Sequence, residues 1–141
     1  MIKEFRGKYA FLSNFYECDI RYGSLRFKSV ESAFQALKSK DYNVRKMFEN
    51  LSPADSKKLG RKIELREDWS DIRIKVMLYL VRLKFKDKEL RKKLLETGYE
   101  EIVEGNWWND EYWGVNLKNN KGNNYLGRIL MIVRKELRDE G

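Results

Sequence analysis

The sequence predicts an α+β fold in one compact domain, residues 1–141, that is mostly helical and carries a small sheet near its N-terminus. Apolar residues alternate with polar ones only near the N-terminus, and from Ser29 onward they recur at spacings of three and four. The length of 141 residues suits a single domain, and the chain has one proline and no low-complexity linker. These observations favour a short hairpin followed by packed helices.

The first predicted element is a β-hairpin in the segment "DIRYGSLRF". Apolar and polar residues alternate on both sides of Gly23-Ser24, and glycine in the first position of a two-residue loop suits a type II′ turn. Ahead of the hairpin, the aromatic run "YAFLSNFY" is interrupted by Ser13-Asn14, so a turn lined by side chains is expected there.

Three helices are predicted after the hairpin. The apolar residues that follow Ser29 fall on one helical stripe, and this serine is placed to cap the first helix. The same spacing predicts a second helix over Asn43–Leu51. In "SPADSKKLG", Ser52 is the expected N-cap, Pro53 occupies the first helical position, and Gly60 ends the third helix.

Three more helices and a strand complete the predicted fold. From Ser70 to about Phe85 the sequence is apolar on more than one side, which is typical of a central helix. The segment "DKELRKKLLETG" predicts a short surface helix that ends at Thr97-Gly98. Residues 100–104 are expected to join the hairpin as a strand, and the last helix is expected to begin near Tyr125.

The composition excludes several kinds of chemistry. The chain has no histidine, so Ser-His-Asp and Cys-His nucleophiles are excluded. Cys18 is the only cysteine, which excludes an intrachain disulfide and a multi-cysteine metal site. Asp, Glu, Lys, Tyr or Cys must supply any acid or base, and neither a metal nor a cofactor is expected. Without a signal peptide or a long apolar run, a cytoplasmic protein with no membrane association is expected.

The net charge is +8, from 30 Lys and Arg against 22 Asp and Glu. Such a balance favours anionic partners such as phosphates or nucleic acid. It also matches the ion-pair-rich surfaces of thermophilic proteins, and the sequence leaves both interpretations open.

A polar line is predicted on the first helix, beside its apolar stripe. Glu31, Gln35 and Lys38 are spaced at i, i+4 and i+7, so they lie along one face. The carboxylate and the ammonium are either an acid and base pair or a solvated row of charges. A partly buried lysine can also form a Schiff base with the aldehyde of an opened ribose.

Two features suit a bound phosphate. In "GNNYLG", Asn124 lies where the N-terminus of the last helix can present backbone N–H groups to an anion, although asparagine and glycine are also ordinary caps. Lys57, Arg61 and Arg73 can clamp a phosphate or remain exposed charges.

The segment "GNWWNDEYWGVN" holds most of the chain's four tryptophans. Their rings either stack on a nucleobase or anchor the core through their own packing. Asp110 and Glu111, between them, are placed to orient polar atoms or a water molecule.

Seven fragments of the chain, in this order along it, resemble the YbiA-like NADAR family and cover nearly its whole length. They are "FLSNFY" (11–16), "SVESAFQALK" (29–38), "KKLGR" (57–61), "REDWSDIRIKVM" (66–77), "LRKKLLETG" (90–98), "NDEYWGVN" (109–116) and "GNNYLGRILMIVR" (122–134). The resemblance implies a YbiA-like fold and an N-glycosidase, which breaks the bond between a ribose and a nitrogen. The implied substrates are phosphorylated ribosylamino-pyrimidine intermediates of riboflavin biosynthesis, or ADP-ribose attached to guanine in nucleic acid.

The resemblance implies catalytic roles for Glu31, Asp110 and Lys38. The ligand-binding residues expected from it and from the features above are Asn14, Phe15, Gln35, Lys57, Arg61, Trp69, Arg73, Tyr112, Trp113, Gly114 and Asn124. A carboxylate can stabilise the positive charge that develops on the sugar, or activate the attacking water. The division of these tasks between the two carboxylates stays open. Lys38 either binds phosphate or reacts with C1 of an opened ribose, and Trp69 with Trp113 is expected to stack on the base.

Two positions depart from the family pattern. Ser32 stands where many relatives carry histidine, so no imidazole is needed here. Asn116 stands where glycine is common, which leaves the depth of the pocket and the base preference open. Trp107 and Trp108 fall outside the matching residues and are expected to be packing anchors.

Functions of other classes are also consistent with the sequence. One is a non-catalytic domain that binds nucleotides or single-stranded nucleic acid through basic charge and aromatic rings. Another is a stable helical domain whose charges form only surface ion pairs. The oligomeric state is not predicted.

Overall fold

The computed structural model describes the whole chain, Met1–Gly141. The chain consists of two compact units. The hairpin unit is residues 14–84, and the terminal unit combines residues 1–13 with residues 85–141. Helical residues outnumber strand residues in both units, and an antiparallel hairpin lies near the N-terminus. The predicted α+β class, mostly helical with a small hairpin sheet, is confirmed. The assignment of residues 1–141 to one domain stays a prediction.

The hairpin unit contains the predicted β-hairpin and four helices. Strand β1 (Ile20–Tyr22) pairs with β2 (Leu25–Phe27), and Gly23 in the turn has a φ of +59°, a conformation that favours glycine. The helices are α1 (Val30–Ala36), α2 (Tyr42–Lys46), α3 (Pro53–Gly60) and α4 (Trp69–Lys84).

Helix α1 packs against α3 and α4, and its sequence explains why it forms. The Ser29 hydroxyl accepts a hydrogen bond from the backbone N–H of Ser32 at 3.0 Å, which satisfies an N–H group that the helix itself leaves unpaired. The predicted apolar stripe is buried. The hydroxyls of Ser32 and Ser56, both fully buried, lie 2.7 Å apart and join α1 to α3.

The second helix is shorter than the sequence predicts. A helix was expected over Asn43–Leu51, whereas α2 covers only Tyr42–Lys46 and tight turns follow it. Within the predicted stripe Phe48 is fully buried but Met47 is exposed. Because no continuous apolar face extends to residue 51, packing does not support a longer helix.

Helices α3 and α4 begin close to the predicted positions, and Ser52 and Pro53 start α3 as expected. The expectation that α4 is central is wrong, because Ile74 and Tyr79 are exposed despite their apolar side chains. Neither α4 nor any other helix of the chain has the length and apolar character of a membrane-spanning segment.

The terminal unit contains a short 3₁₀ helix (Gly7–Leu12), two α-helices and a pair of two-residue parallel strands. These elements are α5 (Lys88–Glu96), β3 (Gly105–Asn106), β4 (Val115–Asn116) and α6 (Tyr125–Glu140). Asp87 caps α5, and Gly98 just after its end has a φ of +64°, which confirms the predicted stop. Helices α5 and α6 pack against each other.

The expected extension of the hairpin sheet by residues 100–104 is wrong. The hairpin sheet contains only β1 and β2, and Ile102 instead forms an isolated parallel bridge with Ile2. Both isoleucines are buried, so this pairing stabilises the terminal unit by removing apolar surface from water.

Candidate active site

Two residues of the predicted polar line, Glu31 and Gln35, lie on α1 and contact each other, whereas Lys38 lies two residues beyond the end of the helix. Gln35 Nε2 donates a hydrogen bond of 2.6 Å to Glu31 Oε2, as residues at i and i+4 can. The backbone N–H of Glu31 donates to Asn14 O at 3.0 Å. Gln35 is buried, and Glu31 and Lys38 are half-buried, so the line is not a row of solvated charges.

Lys38 lies among charges that α1 and α3 bring together. Burial is the largest influence and lowers the pKa of Lys38 below its usual 10.5, while the carboxylate of Glu31 raises it. The positive charges of Arg61 and Lys57 lower this pKa further. Glu31, Lys38, Lys57 and Arg61 therefore form one cluster, and its lysine can supply a neutral amine more readily than an exposed lysine.

The excess positive charge is concentrated in the hairpin unit. Residues 14–84 contain 16 Lys and Arg against 10 Asp and Glu, whereas the terminal unit contains 14 against 12. The end of α3 supplies four of the cations within six residues: Lys57, Lys58, Arg61 and Lys62. This uneven distribution favours an anion-binding region over a uniformly charged surface.

The other predicted ligand residues of the hairpin unit differ in what they can contact. Asn14 is buried and its Oδ1 accepts no hydrogen bond from the protein, and its ligand contact stays a prediction. Phe15 is exposed. Trp69 is buried with its ring centroid 4.9 Å from that of Phe34, so most of its surface serves packing instead of base stacking. Arg73 is half-buried, one turn further along α4.

In the terminal unit, Asp110 lies in a loop that its own carboxylate helps to shape. Its Oδ1 accepts hydrogen bonds from the backbone N–H groups of Tyr112 and Trp113, both at 3.0 Å. The ring of Tyr112 lies 4.8 Å from the rings of Trp113 and Tyr125. Asp110 is half-buried, and one of its two oxygens is thus committed to the turn.

Asn106 closes the loop that carries Asp110, a role that the sequence pattern does not predict. Its fully buried side chain donates from Nδ2 to Asp110 O at 2.8 Å and accepts at Oδ1 from Asp110 N at 2.9 Å. The same Nδ2 donates to Val115 O at 3.2 Å, which links β3 to β4. No local pattern marks this role, because its partners lie up to nine residues away.

We expect the substitution Asn106→Leu to lower the free energy of unfolding by about 2–4 kcal/mol, because partly buried backbone groups of Asp110 and Val115 would lose their partners. Chemical denaturation measures the change. Asn123→Leu, at an exposed asparagine, is the matched control and is expected to change stability by less than about 0.5 kcal/mol. Equal losses in the two variants would contradict the role given to Asn106.

Trp107 and Trp108 are exposed, by 54% and 61%, so the expectation that they anchor core packing is wrong. The physical reason lies in the loop itself. Because Asn106 and Asp110 bond to each other across the intervening residues, the segment between them is held at the surface.

The protein itself occupies the N-terminus of α6, so the phosphate site expected there is wrong. The backbone N–H groups of residues 124–126 donate to the carbonyl oxygens of residues 112–114. The side chain of Asn124 accepts from Glu104 N at 2.9 Å and donates to a further backbone carbonyl at 3.0 Å. Gly114 is buried where a Cβ would overlap Glu104, so this glycine is explained by packing.

A buried lysine was also missed. Lys84 on α4 is 2% exposed, and burial lowers its pKa to about 8, against a smaller opposing influence of Cys18. Its ammonium lies 5.8 Å from the ring centroid of Tyr16. Helical spacing could have predicted this burial. Lys84 follows the buried residues Leu80 and Val81 at i+4 and i+3, so it falls on the buried face of α4.

Comparison with known protein families matches residues 2–138 to the NADAR domain. A riboflavin biosynthesis protein of Vibrio vulnificus (strain YJ016) is 38% identical over 135 residues, which cover 93% of this chain and 36% of that protein. An N-glycosidase of Nostoc punctiforme is 35% identical over 138 residues, covering 93% of this chain and 87% of that protein. N-glycosidase YbiA of Escherichia coli (strain K12) is 35% identical over 133 residues, covering 92% and 82%.

The fold is similar to the NMR structure of the Escherichia coli protein YbiA. The two superimpose with a TM-score of 0.86 at 33% sequence identity, covering 99% of this chain and 86% of that chain. The chain therefore spans most of YbiA but only 36% of the length of the Vibrio protein.

Proposed function

This chain belongs to the NADAR domain family, and on that premise we propose that it is a hydrolase acting on N-glycosyl bonds, an N-glycosidase that separates ribose from nitrogen. The observation that carries the proposal is the cluster on α1 and α3. A half-buried carboxylate, Glu31, lies near a lysine of lowered pKa, Lys38, beside an excess of cations suited to phosphate. The names of the N-glycosidase relatives support the same reaction.

Two substrate classes fit this cluster: a phosphorylated ribosylamino-pyrimidine of the riboflavin pathway, and ADP-ribose attached to guanine in nucleic acid. Both carry a ribosyl–nitrogen bond and at least one phosphate. The Vibrio relative named for riboflavin biosynthesis supports the first class. Lys57 and Arg61, at the end of α3, are the proposed phosphate ligands, with Arg73 on α4 as a third cation.

The reaction passes through an oxocarbenium-like state in which positive charge develops at C1 of the ribose. The Glu31 carboxylate stabilises that charge or takes a proton from the attacking water. Asp110 stays a predicted catalytic residue, and its Oδ1 is bound by two backbone N–H groups. Lys38 binds phosphate as an ammonium, or attacks C1 of an opened ribose as a neutral amine.

The direct test incubates the protein with a phosphorylated ribosylamino-pyrimidine and, separately, with ADP-ribosylated guanosine and ADP-ribosylated DNA. We expect release of the base or of the ribosyl product from at least one of these, detected by mass spectrometry. Asp110→Asn in the same assay tests the second carboxylate. Absence of turnover with all three substrates, together with tight binding of single-stranded nucleic acid, would refute the enzyme proposal.

A second candidate function is a non-catalytic domain that binds single-stranded nucleic acid. The exposed rings of Trp107 and Trp108 and the net charge of +8 favour it, because bases stack on such rings and phosphates attract cations. Under this function binding weakens steeply with salt. Neutralising Glu31 or Asp110 would strengthen binding, whereas in the enzyme the same changes remove turnover.

A further inference from the structure

Gln35, the only glutamine in the chain, has an unusually constrained side chain. It is 5% exposed, and its Nε2 donates to Glu31 Oε2 at 2.6 Å. Its Oε1 is buried and accepts no hydrogen bond. One end of the amide is bound to Glu31 and the other is enclosed by protein, and the ligand contact expected of Gln35 stays a prediction.

Gly60 is the residue that encloses the amide. A Cβ on this last residue of α3 would overlap Gln35 Oε1 and lie 2.7 Å from Gln35 Cδ. Gly60 ends α3 as predicted, and its close approach to Gln35 explains why a glycine stands there. Any larger residue at position 60 would displace the Gln35 amide.

A buried acceptor without a donor is unfavourable and rare in folded proteins, so each one calls for an explanation. For Gln35 Oε1, the explanation lies in the hydrogen bond that Nε2 makes at the other end of the same amide. A carboxylate can only accept hydrogen bonds, so the Gln35 amide binds an ionised Glu31 only with Nε2 towards it. Because Nε2 is directed at Glu31, Oε1 is left without a donor. Unfavourable local arrangements of this kind are common at functional sites.

We propose that Gln35, held in place by Gly60, is a positioning residue that fixes the Glu31 carboxylate and keeps it ionised. This inference rests on the proposed function and deepens it, because an ionised Glu31 serves as the base or the charge stabiliser and not as the acid. It leaves protonation of the departing base to another group.

The charges around Glu31 favour the same ionised state. Lys38, two residues beyond the end of α1, interacts electrostatically with Glu31, and Arg61 and Lys57 in turn act on Lys38. On α4, Arg73 lies one turn from Trp69, the residue that packs on α1, and so falls on the same face. On α2, Arg45 turns to donate to Ser39 O. Lys38, the cation shown to interact with Glu31, stabilises the ionised carboxylate.

Two substitutions on different helices test the proposal. Gln35→Met keeps the length of the side chain but removes the donor, and Gly60→Ala displaces the amide without changing it. We expect each to lower kcat by roughly ten- to a hundredfold, the effect of losing a hydrogen bond to a charged group, with KM within about twofold. Glu31→Gln should abolish the effect of Gln35→Met, because the two residues act as one unit.

Ser56→Ala is the matched control. It removes the buried hydroxyl contact between Ser56 of α3 and Ser32 of α1 without touching Glu31. We expect lower thermal stability with kcat within about twofold of the unsubstituted protein. An unchanged kcat in Gln35→Met, or an equal loss of kcat in Ser56→Ala, would overturn the proposal.

A measurement without substrate separates this inference from the proposed function. The side-chain carboxyl signal of Glu31 is titrated by NMR, and its assignment comes from its loss in Glu31→Gln. We expect the midpoint to rise by about one pH unit in Gln35→Met and in Gly60→Ala. A raised midpoint with no turnover of any substrate would refute only the enzyme proposal. An unchanged midpoint would refute the positioning role even if the protein is active.

Discussion

Replacing Glu31 by glutamine is expected to lower kcat by roughly 10²- to 10⁴-fold, the usual contribution of a positioned acid or base. Glutamine has nearly the same shape but carries no charge, so it cannot stabilise a positive C1 or accept a proton from water. Its amide can still contact Gln35, so the fold and substrate affinity should persist. Product release followed by mass spectrometry gives kcat, and calorimetry gives the affinity.

Glu67→Gln is a suitable control, because Glu67 is an exposed carboxylate of the same unit. It removes an equal charge and is expected to leave kcat within about twofold. Full turnover by the Glu31→Gln variant would exclude Glu31 from the reaction. Stronger binding of single-stranded nucleic acid by that variant would instead support the non-catalytic function.

Replacing Lys38 by methionine is expected to lower kcat/KM by roughly 100-fold or more, whichever of its two roles is correct. The variant Lys38→Arg distinguishes phosphate binding from covalent reaction with the sugar. An arginine keeps the positive charge and binds phosphate, so activity returns if Lys38 is a phosphate ligand. It cannot form a Schiff base, so activity stays low if Lys38 reacts with the sugar.

The pH dependence of kcat and of substrate affinity also distinguishes the two roles of Lys38. Burial lowers the pKa of Lys38 below 10.5, so its neutral fraction grows as pH rises towards that lowered value. Covalent chemistry needs the neutral amine, and kcat then increases with pH through this range. Phosphate binding needs the ammonium, and affinity then decreases over the same range. Reduction with borohydride during turnover would add the sugar mass to the protein only in the covalent case.

Local signals were sufficient for the hairpin and for most helix ends. Gly23-Ser24 marks the turn, and Ser29 and Ser52 cap helices, through interactions that reach only three or four residues. Non-local structure was not predictable in this way. The pairing of β3 with β4 depends on the Asn106 side chain, and the length of α2 depends on which apolar residues find a buried surface.

For the candidate site, helical spacing was enough to place Glu31 and Gln35 side by side on α1, but Lys38 lies beyond the end of the helix. Spacing could not show which contacts each residue makes. The approach of Lys57 and Arg61 to Lys38 needs the packing of α3 on α1. The burial of Trp69 and the backbone carbonyls that bind the N–H groups at the start of α6 are likewise tertiary effects, which helical spacing does not reveal.

The exposure of Trp107 and Trp108 determines how the protein must be studied by optical methods. Two of its four indoles already face water in the native state, so intrinsic fluorescence starts red-shifted and unfolding moves the emission maximum little. Any quenching caused by a ligand near Trp69 would be superimposed on this constant signal. A Trp107→Phe/Trp108→Phe background removes it and turns the remaining indoles, Trp69 and Trp113, into reporters, one for each unit.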